Sequence, residues 1–321
     1  MHIKKIKIFK SKKPIIFFLM GLTGCGKSKL AIYLRKYLPI EIISVDSALI
    51  YRDMDIGTDK PNYWDLKMHP HRLLNIKDPS EIYSVAEFRK DAYKEIQSIL
   101  KLGKIPLLVG GTMLYYHVLL YGLSNLPPAN FEIRQYLLEK VKCNQYFLYE
   151  QLNLIDPISA NNIHKNDFQR LLRALEIFYI SGKTLTSLKN NMLNKLPYNI
   201  IQFSILPKSK EWLYEQIESR VKKMLILGFQ KEVENLFYRG DLNKQLPSIR
   251  CIGYRQMWAY LENQINYEDM ILKIIFSTRK LAKHQLTWLK KWKNVYFLVS
   301  SHPSIIFKEM LKIFKKHELN F

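Results

Sequence analysis

The chain has 321 residues, 48% of them hydrophobic, which is enough for a large core and more than one folding unit. Its 50 Lys and Arg against 28 Asp and Glu give a net charge of +22. This charge favours a polyanionic partner such as nucleic acid. Part of the charge reflects AT-rich codons, for which many Ile, Lys, Asn and Tyr residues are typical. The distant Cys25, Cys143 and Cys251 argue against a disulfide framework and a zinc site, and no run approaches the ~20 apolar residues of a membrane span.

The N-terminus has two interpretations. The basic residues 1–13, the apolar residues 15–20 and Cys25 resemble a lipoprotein signal peptide with its cleavage site. The apolar run is at or below the usual ~7–15 residues of a signal core. The same residues fit a strand and a phosphate-binding loop better, and the reduced cysteines favour a cytoplasmic protein.

The first strong motif follows residues 15–20 (IIFFLM), which predict a strand buried on both faces of a parallel sheet. Residues 21–28, here called the phosphate loop, fit the pattern G-x-x-x-x-G-K-[ST], and apolar residues at helical spacing come next. The loop consists of Gly21, Leu22, Thr23, Gly24, Cys25, Gly26, Lys27 and Ser28. Its backbone N–H groups and Lys27 suit a di- or triphosphate, and Ser28 suits Mg²⁺.

Two further apolar runs, residues 40–45 and 105–109, predict strands that end at Asp46 and at Gly110, Gly111 and Thr112. Because ligands of open α/β sheets bind beyond the carboxyl ends of the strands, both ends should lie near the phosphate loop.

Each of these two polar residues has alternative roles. Asp46 suits a general base, an outer ligand of magnesium, or the N-cap of a helix over residues 47–51. Thr112 suits a hydrogen-bond donor to a diphosphate oxygen, the N-cap of a helix over residues 113–122, or both.

The pattern then changes to helical periodicity over residues 124–199, and strands return at residues 200–206 and 295–299, with a helix over residues 210–227 between them. The predicted fold is therefore α/β. A P-loop NTPase-like parallel sheet flanked by helices comes from residues 14–123 and 200–321, and residues 124–199 form an inserted all-helical domain.

Three later tracts combine cations with amides and aromatic rings, the groups that bind phosphates and unstacked bases. They are residues 169–173, 250–255 and 283–290. Arg279, Lys283, Thr287 and Lys290 would form a basic stripe on one helix face, although such stripes are often simply solvated. The histidines lack the spacing of a metal site.

Together these residues resemble the tRNA dimethylallyltransferase (tRNA isopentenyltransferase) family, from about Ile15 to Trp292. Besides the phosphate loop, the matching segments are ISVDSALIY (43–51), MDIGT (54–58), VGGTMLY (109–115), DFQRL (167–171), RALE (173–176), SGKT (181–184), RCIGYRQMW (250–258) and QLTWL (285–289).

The resemblance implies that the phosphate loop holds dimethylallyl diphosphate with Mg²⁺ and uses no nucleotide for energy. By the same resemblance Asp46 is the general base for the amine of an adenosine next to the anticodon. Thr112 and Lys27 would act on the diphosphate.

The resemblance also implies a set of contacts to the tRNA anticodon stem-loop. They are Asp46, Ser47, Ala48, Leu49, Arg134, Gln169, Arg170, Leu171, Leu172, Arg173, Arg250, Cys251, Ile252, Gly253, Tyr254, Arg255, Lys283, His284, Gln285, Leu286, Thr287, Trp288, Leu289 and Lys290.

Three residues depart from the family pattern: Leu22 replaces a usual proline, Cys25 a small residue, and His284 a common arginine, which puts one tRNA contact in doubt. Eukaryotic nuclear and cytosolic relatives carry a C-terminal zinc finger. No cysteine follows Val295 here, so a bacterial-type enzyme without zinc is expected. Nothing in the sequence demands a dimer, so a monomer is expected.

Two other activities would use the same loop. They are an ATP-dependent small-molecule kinase and a prenyltransferase acting on free adenine nucleotides. The long basic tracts disfavour both, because a free nucleotide needs no extended polyanion grip.

Overall fold

The computed structural model describes residues 13–189 and 195–319. The basic segment before Lys13, part of the alternative signal-peptide interpretation, lies outside the described residues. Among the helices of the described part, none is both long and apolar enough to cross a membrane.

A sheet of six strands forms the centre of the fold. The strands are β1 (Ile15–Gly21), β2 (Ile40–Val45), β3 (His71–Arg72), β4 (Ile105–Gly110), β5 (Asn199–Leu206) and β6 (Val295–Val299). Their order is β3-β2-β4-β1-β5-β6, and every pairing between neighbours is parallel. The predicted α/β class with a parallel sheet is confirmed.

Strand β1 lies at the middle of this sheet because its residues are apolar throughout. Leu19 is in register with Val109 of β4 on one side and with Phe203 of β5 on the other. All residues of β1 are buried, as expected for a strand covered on both faces. Strand β3 was not predicted, since its two residues, His71 and Arg72, carry no apolar signal.

Helices cover the sheet and follow its strands in sequence. They are α1 (Lys27–Arg35), α2 (Tyr63–Met68), α3 (Val85–Lys101), α4 (Met113–Tyr121), α10 (Lys210–Ile226), α11 (Phe229–Phe237), α12 (Tyr254–Leu261), α13 (Tyr267–Lys290) and α14 (Pro303–Lys316). The predicted helices over residues 113–122 and 210–227 each end one residue earlier than expected.

Local signals fix where several helices begin. Ser84 and Glu87 form a capping box at the start of α3. Asn266 accepts a hydrogen bond from the Asp269 amide at the start of α13, and acidic residues occupy the first turn of that helix, where they favour the helix dipole.

The chain divides into two compact units, one containing residues 13–117 and 197–319 and the other residues 118–189 and 195–196 of the described part. These boundaries lie a few residues before the expected positions, 124 and 199. The second unit contains α5 (Phe131–Cys143), α6 (Phe147–Ile155), α7 (Pro157–Asn162), α8 (Phe168–Ser181) and α9 (Leu185–Leu188).

The helical unit has a small apolar core of its own. Leu137, Leu148, Leu152, Leu171 and Leu175 are all buried in it. Helix α8 begins at the capping side chain of Asp167 and ends at Gly182, whose φ of 65° is the left-handed conformation usual after a helix.

We expect Phe314→Ala to destabilise the α/β unit strongly. Phe314 is 0% exposed and stacks on Phe17 with ring centroids 5.0 Å apart. Removing a buried ring costs about 3–5 kcal/mol, measurable as a lower free energy of unfolding in urea. The control Phe276→Ala removes a ring that is 67% exposed and should cost less than about 0.5 kcal/mol. Equal losses would contradict this assignment of the core.

Candidate functional site

The phosphate loop connects the end of β1 to the start of α1. Gly24 and Gly26 have φ values of 80° and 81°, a left-handed conformation that residues with a side chain rarely adopt. Gly26 is also the N-cap of α1. This backbone turns successive N–H groups to one side, and the helix dipole adds partial positive charge, which is the arrangement of an anion site.

Lys27 supplies a full positive charge to this loop. Its Nζ donates a hydrogen bond to the Leu22 carbonyl at 2.7 Å. Burial lowers the pKa of Lys27 to about 8, and the nearby Cys25 and Asp46 partly oppose this shift. The lysine therefore lacks a strong counter-ion in the free protein, and a bound anion would stabilise its charged form.

Cys25 differs from Lys27 because its side chain points into the core. It is 2% exposed, and burial raises the pKa of its thiol to about 11. The Cys25 carbonyl accepts a hydrogen bond from the Ser300 hydroxyl at 3.2 Å. The thiol is therefore a small packing group under the loop rather than a thiolate nucleophile.

Ser28 is exposed in the first turn of α1, directly beside Lys27. In the described part of the chain, no group of three or more His, Cys, Asp or Glu side chains could hold a metal ion. Mg²⁺ at phosphates typically needs only one or two protein oxygens, with phosphate and water oxygens completing its shell. The Ser28 hydroxyl, with the Asp46 carboxylate close to Lys27, fits that type of site.

Asp46 follows β2, and one of its oxygens is already engaged. Oδ1 accepts hydrogen bonds from the Ala48 amide at 2.8 Å and the Leu49 amide at 3.3 Å. The alternative of a helix over residues 47–51 is wrong, since the chain forms a bend and a turn over residues 47–50 and a bridge from Tyr51 to Lys77. Within the described residues, Oδ2 has no hydrogen-bond partner, so the carboxylate is fixed in place with one oxygen available to accept a proton.

Thr112 joins the ends of β2 and β4. Its Oγ1 accepts a hydrogen bond from the Ser47 amide at 3.2 Å, and its own amide donates to the Val45 carbonyl at 3.3 Å. Because a hydroxyl both accepts and donates, its proton can still be given to a ligand oxygen. The three predicted strand ends therefore meet at one edge of the sheet.

Two side chains from distant helices complete this edge. Gln285 of α13 is buried, accepts from the Thr23 amide at 2.9 Å and donates to the Gly111 carbonyl at 3.0 Å. Arg220 of α10 donates to the Thr23 hydroxyl at 2.9 Å and lies 3.7 Å from Asp59. Gln285 had been predicted as a tRNA contact, whereas Arg220 was missed because nothing in the local sequence marks it.

In the helical unit, two of the predicted tRNA contacts hold a buried carboxylate. Glu176 is 0% exposed and accepts hydrogen bonds from Arg134 at 2.8 Å and from Arg173 at 2.5 Å. Burial alone would raise the pKa of Glu176, but these arginines and the Asn130 amide outweigh it and lower that pKa. Much of the positive charge of Arg134 and Arg173 is thus neutralised by Glu176 inside the helical unit.

The remaining predicted tRNA contacts divide by exposure. Those with exposed side chains are Ser47, Gln169, Arg170, Arg250, Arg255, Lys283, His284, Thr287, Trp288 and Lys290. Those that are partly buried are Ala48, Leu49, Leu172, Cys251, Ile252 and Leu286. Leu171, Gly253, Tyr254 and Leu289 are buried, so substitutions there act mainly on packing.

The predicted basic stripe on α13 needs one correction. Arg279 forms an ion pair with Glu218, and its guanidinium lies 4.1 Å from the ring centroid of Tyr214. Its charge is therefore already matched, which shortens the exposed stripe to Lys283, Thr287 and Lys290.

Comparison with known proteins decides the family. A family model described as IPP transferase matches residues 49–292. The tRNA dimethylallyltransferase of Buchnera aphidicola subsp. Acyrthosiphon pisum (strain APS) is 65% identical over 313 residues, covering 97% of this chain and 99% of the relative. The chain belongs to the IPP transferase family. The resemblance inferred from its motifs is confirmed.

Other members of the IPP transferase family agree in sequence and in fold. The tRNA dimethylallyltransferase of Buchnera aphidicola subsp. Baizongia pistaciae (strain Bp) is 56% identical, with 94% of each chain covered. The solved tRNA isopentenylpyrophosphate transferase of Bacillus halodurans is 33% identical with a TM-score of 0.70, covering 95% of this chain and 97% of that one. A eukaryotic dimethylallyltransferase solved acting on tRNA is 28% identical with a TM-score of 0.76. The match covers 91% of this chain and 75% of that one.

We expect the affinity for inorganic pyrophosphate to decline above the pKa of Lys27. In the free protein that pKa is lowered to about 8, and a bound anion raises it, so binding takes up a proton between the two values. Calorimetric titrations of the wild type and Lys27→Arg across pH cancel the ionisation of pyrophosphate itself. The ratio of the wild-type affinity for pyrophosphate to that of Lys27→Arg should be constant below pH 8. Above pH 8 this ratio should fall by up to about tenfold per pH unit. A flat ratio throughout would contradict the assignment.

Proposed function

We propose that this protein is a tRNA dimethylallyltransferase, which moves the dimethylallyl group from dimethylallyl diphosphate to the N6 amine of the adenosine next to the anticodon, releasing diphosphate. The observation that carries the proposal is a fixed carboxylate, Asp46, with a free oxygen close to the partly buried cation Lys27 of the phosphate loop. Relatives that are 65% and 56% identical to this chain are named for this activity.

The bonds that change set the demands on the site. The bond between the allylic carbon and the diphosphate oxygen breaks, and a bond from that carbon to the adenine nitrogen forms. Negative charge grows on the diphosphate, where the loop amides, Lys27 and the Thr112 hydroxyl stabilise it. Mg²⁺ held by Ser28 and the phosphates would neutralise part of the same charge.

The proton lost from the amine goes to Asp46. Its Oδ1 is occupied by two backbone amides, which leaves Oδ2 to act as the base. Removing a proton in this way typically accelerates a reaction by about 10²–10⁴-fold. An adenine stacked in an RNA loop must be turned out to reach such a site, and the exposed cations of α12 and α13 are suited to hold the RNA while this happens.

The partners follow from the same assignment. We infer a tRNA anticodon stem-loop and dimethylallyl diphosphate as substrates, Mg²⁺ as cofactor, and a single subunit acting in the cytoplasm without zinc. The kinase and free-nucleotide alternatives are not favoured, because relatives 65% identical to this chain are named tRNA dimethylallyltransferases.

The direct test is prenyl transfer without ATP. Purified protein is incubated with dimethylallyl diphosphate, Mg²⁺ and unmodified tRNA, and the digested nucleosides are analysed. We expect prenylated adenosine in tRNA and far less product with free AMP. A lack of product, or equal product from AMP, would overturn the proposal.

Two substitutions should separate catalysis from RNA binding. Asp46→Asn keeps the size of the side chain but removes the base, so turnover should fall by about 10²-fold or more with little change in tRNA affinity. Arg255→Ala should weaken tRNA binding and reduce its salt dependence, because one exposed cation is lost. The control Lys315→Ala, exposed on α14, should change neither. The reverse pattern would show that the roles are misassigned.

A further inference from the structure

A turn between β2 and α2 is held by a single carboxylate from a distant helix. The amides of Asp55 and Ile56 donate to Oε2 of Glu232 at 2.9 Å and 2.7 Å, and the Gly57 amide donates to Oε1 at 3.1 Å. Three consecutive N–H groups thus bind one side chain of α11. Such charge-assisted hydrogen bonds are stronger than neutral ones, so the turn has a defined position.

Aromatic rings also pack against the same turn. The Tyr254 hydroxyl donates to Oε1 of Glu232 at 2.6 Å, and burial together with this carboxylate raises the pKa of Tyr254 well above its usual value, so the hydroxyl keeps its proton. A Cβ on Gly57 would lie 2.3 Å from the Phe229 ring. The backbone at residue 57 therefore packs directly against aromatic side chains, which only glycine permits.

A side chain just after the turn contacts a residue that bonds the phosphate loop. Asp59 lies 3.7 Å from Arg220, and Arg220 donates to the Thr23 hydroxyl at 2.9 Å. The side chain of Lys60 is 2% exposed and donates to the Tyr51 carbonyl at 2.8 Å. This bond connects a residue after the turn to the segment that follows β2. Contacts thus connect α11 and α12 to the turn, and the ion pair of the exposed Asp59 with Arg220 connects the turn to the anion site.

We propose that Glu232 is a positioning residue for the donor diphosphate, and that it acts through the 55–57 turn, Asp59 and Arg220 on the phosphate loop. This inference rests on the proposed function only in naming the anion as the donor diphosphate. Glu232 also accepts a hydrogen bond from Tyr254, the residue directly before the exposed Arg255. The residue therefore stands between the helix of a predicted tRNA contact and the donor site.

A role confined to stability predicts a different outcome from a positioning role. If Glu232 only stabilised the turn, its loss would lower the unfolding temperature and leave the folded protein with normal anion affinity. If it positions Arg220, the folded variant must bind the anion more weakly. In the transfer reaction, the KM for dimethylallyl diphosphate should then rise more than the KM for tRNA.

The test uses Glu232→Gln in the full chain, with inorganic pyrophosphate as the probe. The matched control is Glu234→Gln on the same helix, whose carboxylate bonds only Gln230 and Lys231 in the described structure. We expect pyrophosphate to bind about tenfold more weakly to Glu232→Gln, as for residues that couple two sites, and unchanged to Glu234→Gln. If both variants bind like the wild type, the proposal is overturned.

A double-mutant cycle tests the path itself. In the Asp59→Asn background Arg220 no longer depends on the turn, so Glu232→Gln should then weaken pyrophosphate binding by less than about threefold. An undiminished tenfold loss would overturn the path. Should Glu232→Gln fail to fold, Tyr254→Phe removes only one hydroxyl from Glu232 and should weaken binding in the same direction. Wild-type protein that binds pyrophosphate but transfers no dimethylallyl group would refute the proposed function and leave this inference standing.

Discussion

The site depends on a partly buried cation at the carboxyl end of the central strand. Lys27 lies where the loop after β1 enters α1, and burial lowers its pKa to about 8. A group in that state costs free energy while it remains charged without a partner. A bound anion would remove this cost, and in the proposed reaction the same cation would stabilise the charge that grows as diphosphate leaves.

Parallel strand order brings the other reacting groups to that cation. Strand β4 pairs with both β1 and β2, so the residues that follow all three strands share one edge. Asp46 and Thr112 are fixed there through the Ser47 and Val45 backbone, and Gln285 connects the phosphate loop with the segment after β4. The proposed general base, the proposed hydroxyl donor and the phosphate loop therefore lie at one edge of the sheet, as catalytic geometry requires.

The positive charge of the chain is less uniform than its total suggests. Arg134 and Arg173 bind Glu176, and Arg279 binds Glu218, so these cations are matched within the protein. The exposed Arg255, Lys283 and Lys290 remain to attract a polyanion. Net charge alone favours an RNA partner, but only the pairing of individual side chains shows which of them can supply the attraction.

The sequence by itself determined the parts of the protein that depend on neighbours along the chain. The phosphate loop, five of the strands and the family could be read from it, because glycine spacing and apolar runs act locally. Only the tertiary structure revealed β3, the turn after Asp46 in place of a helix, and the contacts of Arg220 and Glu232. Their partners lie far away in sequence, and no local pattern records which distant backbone or carboxylate a side chain will meet once the sheet has assembled.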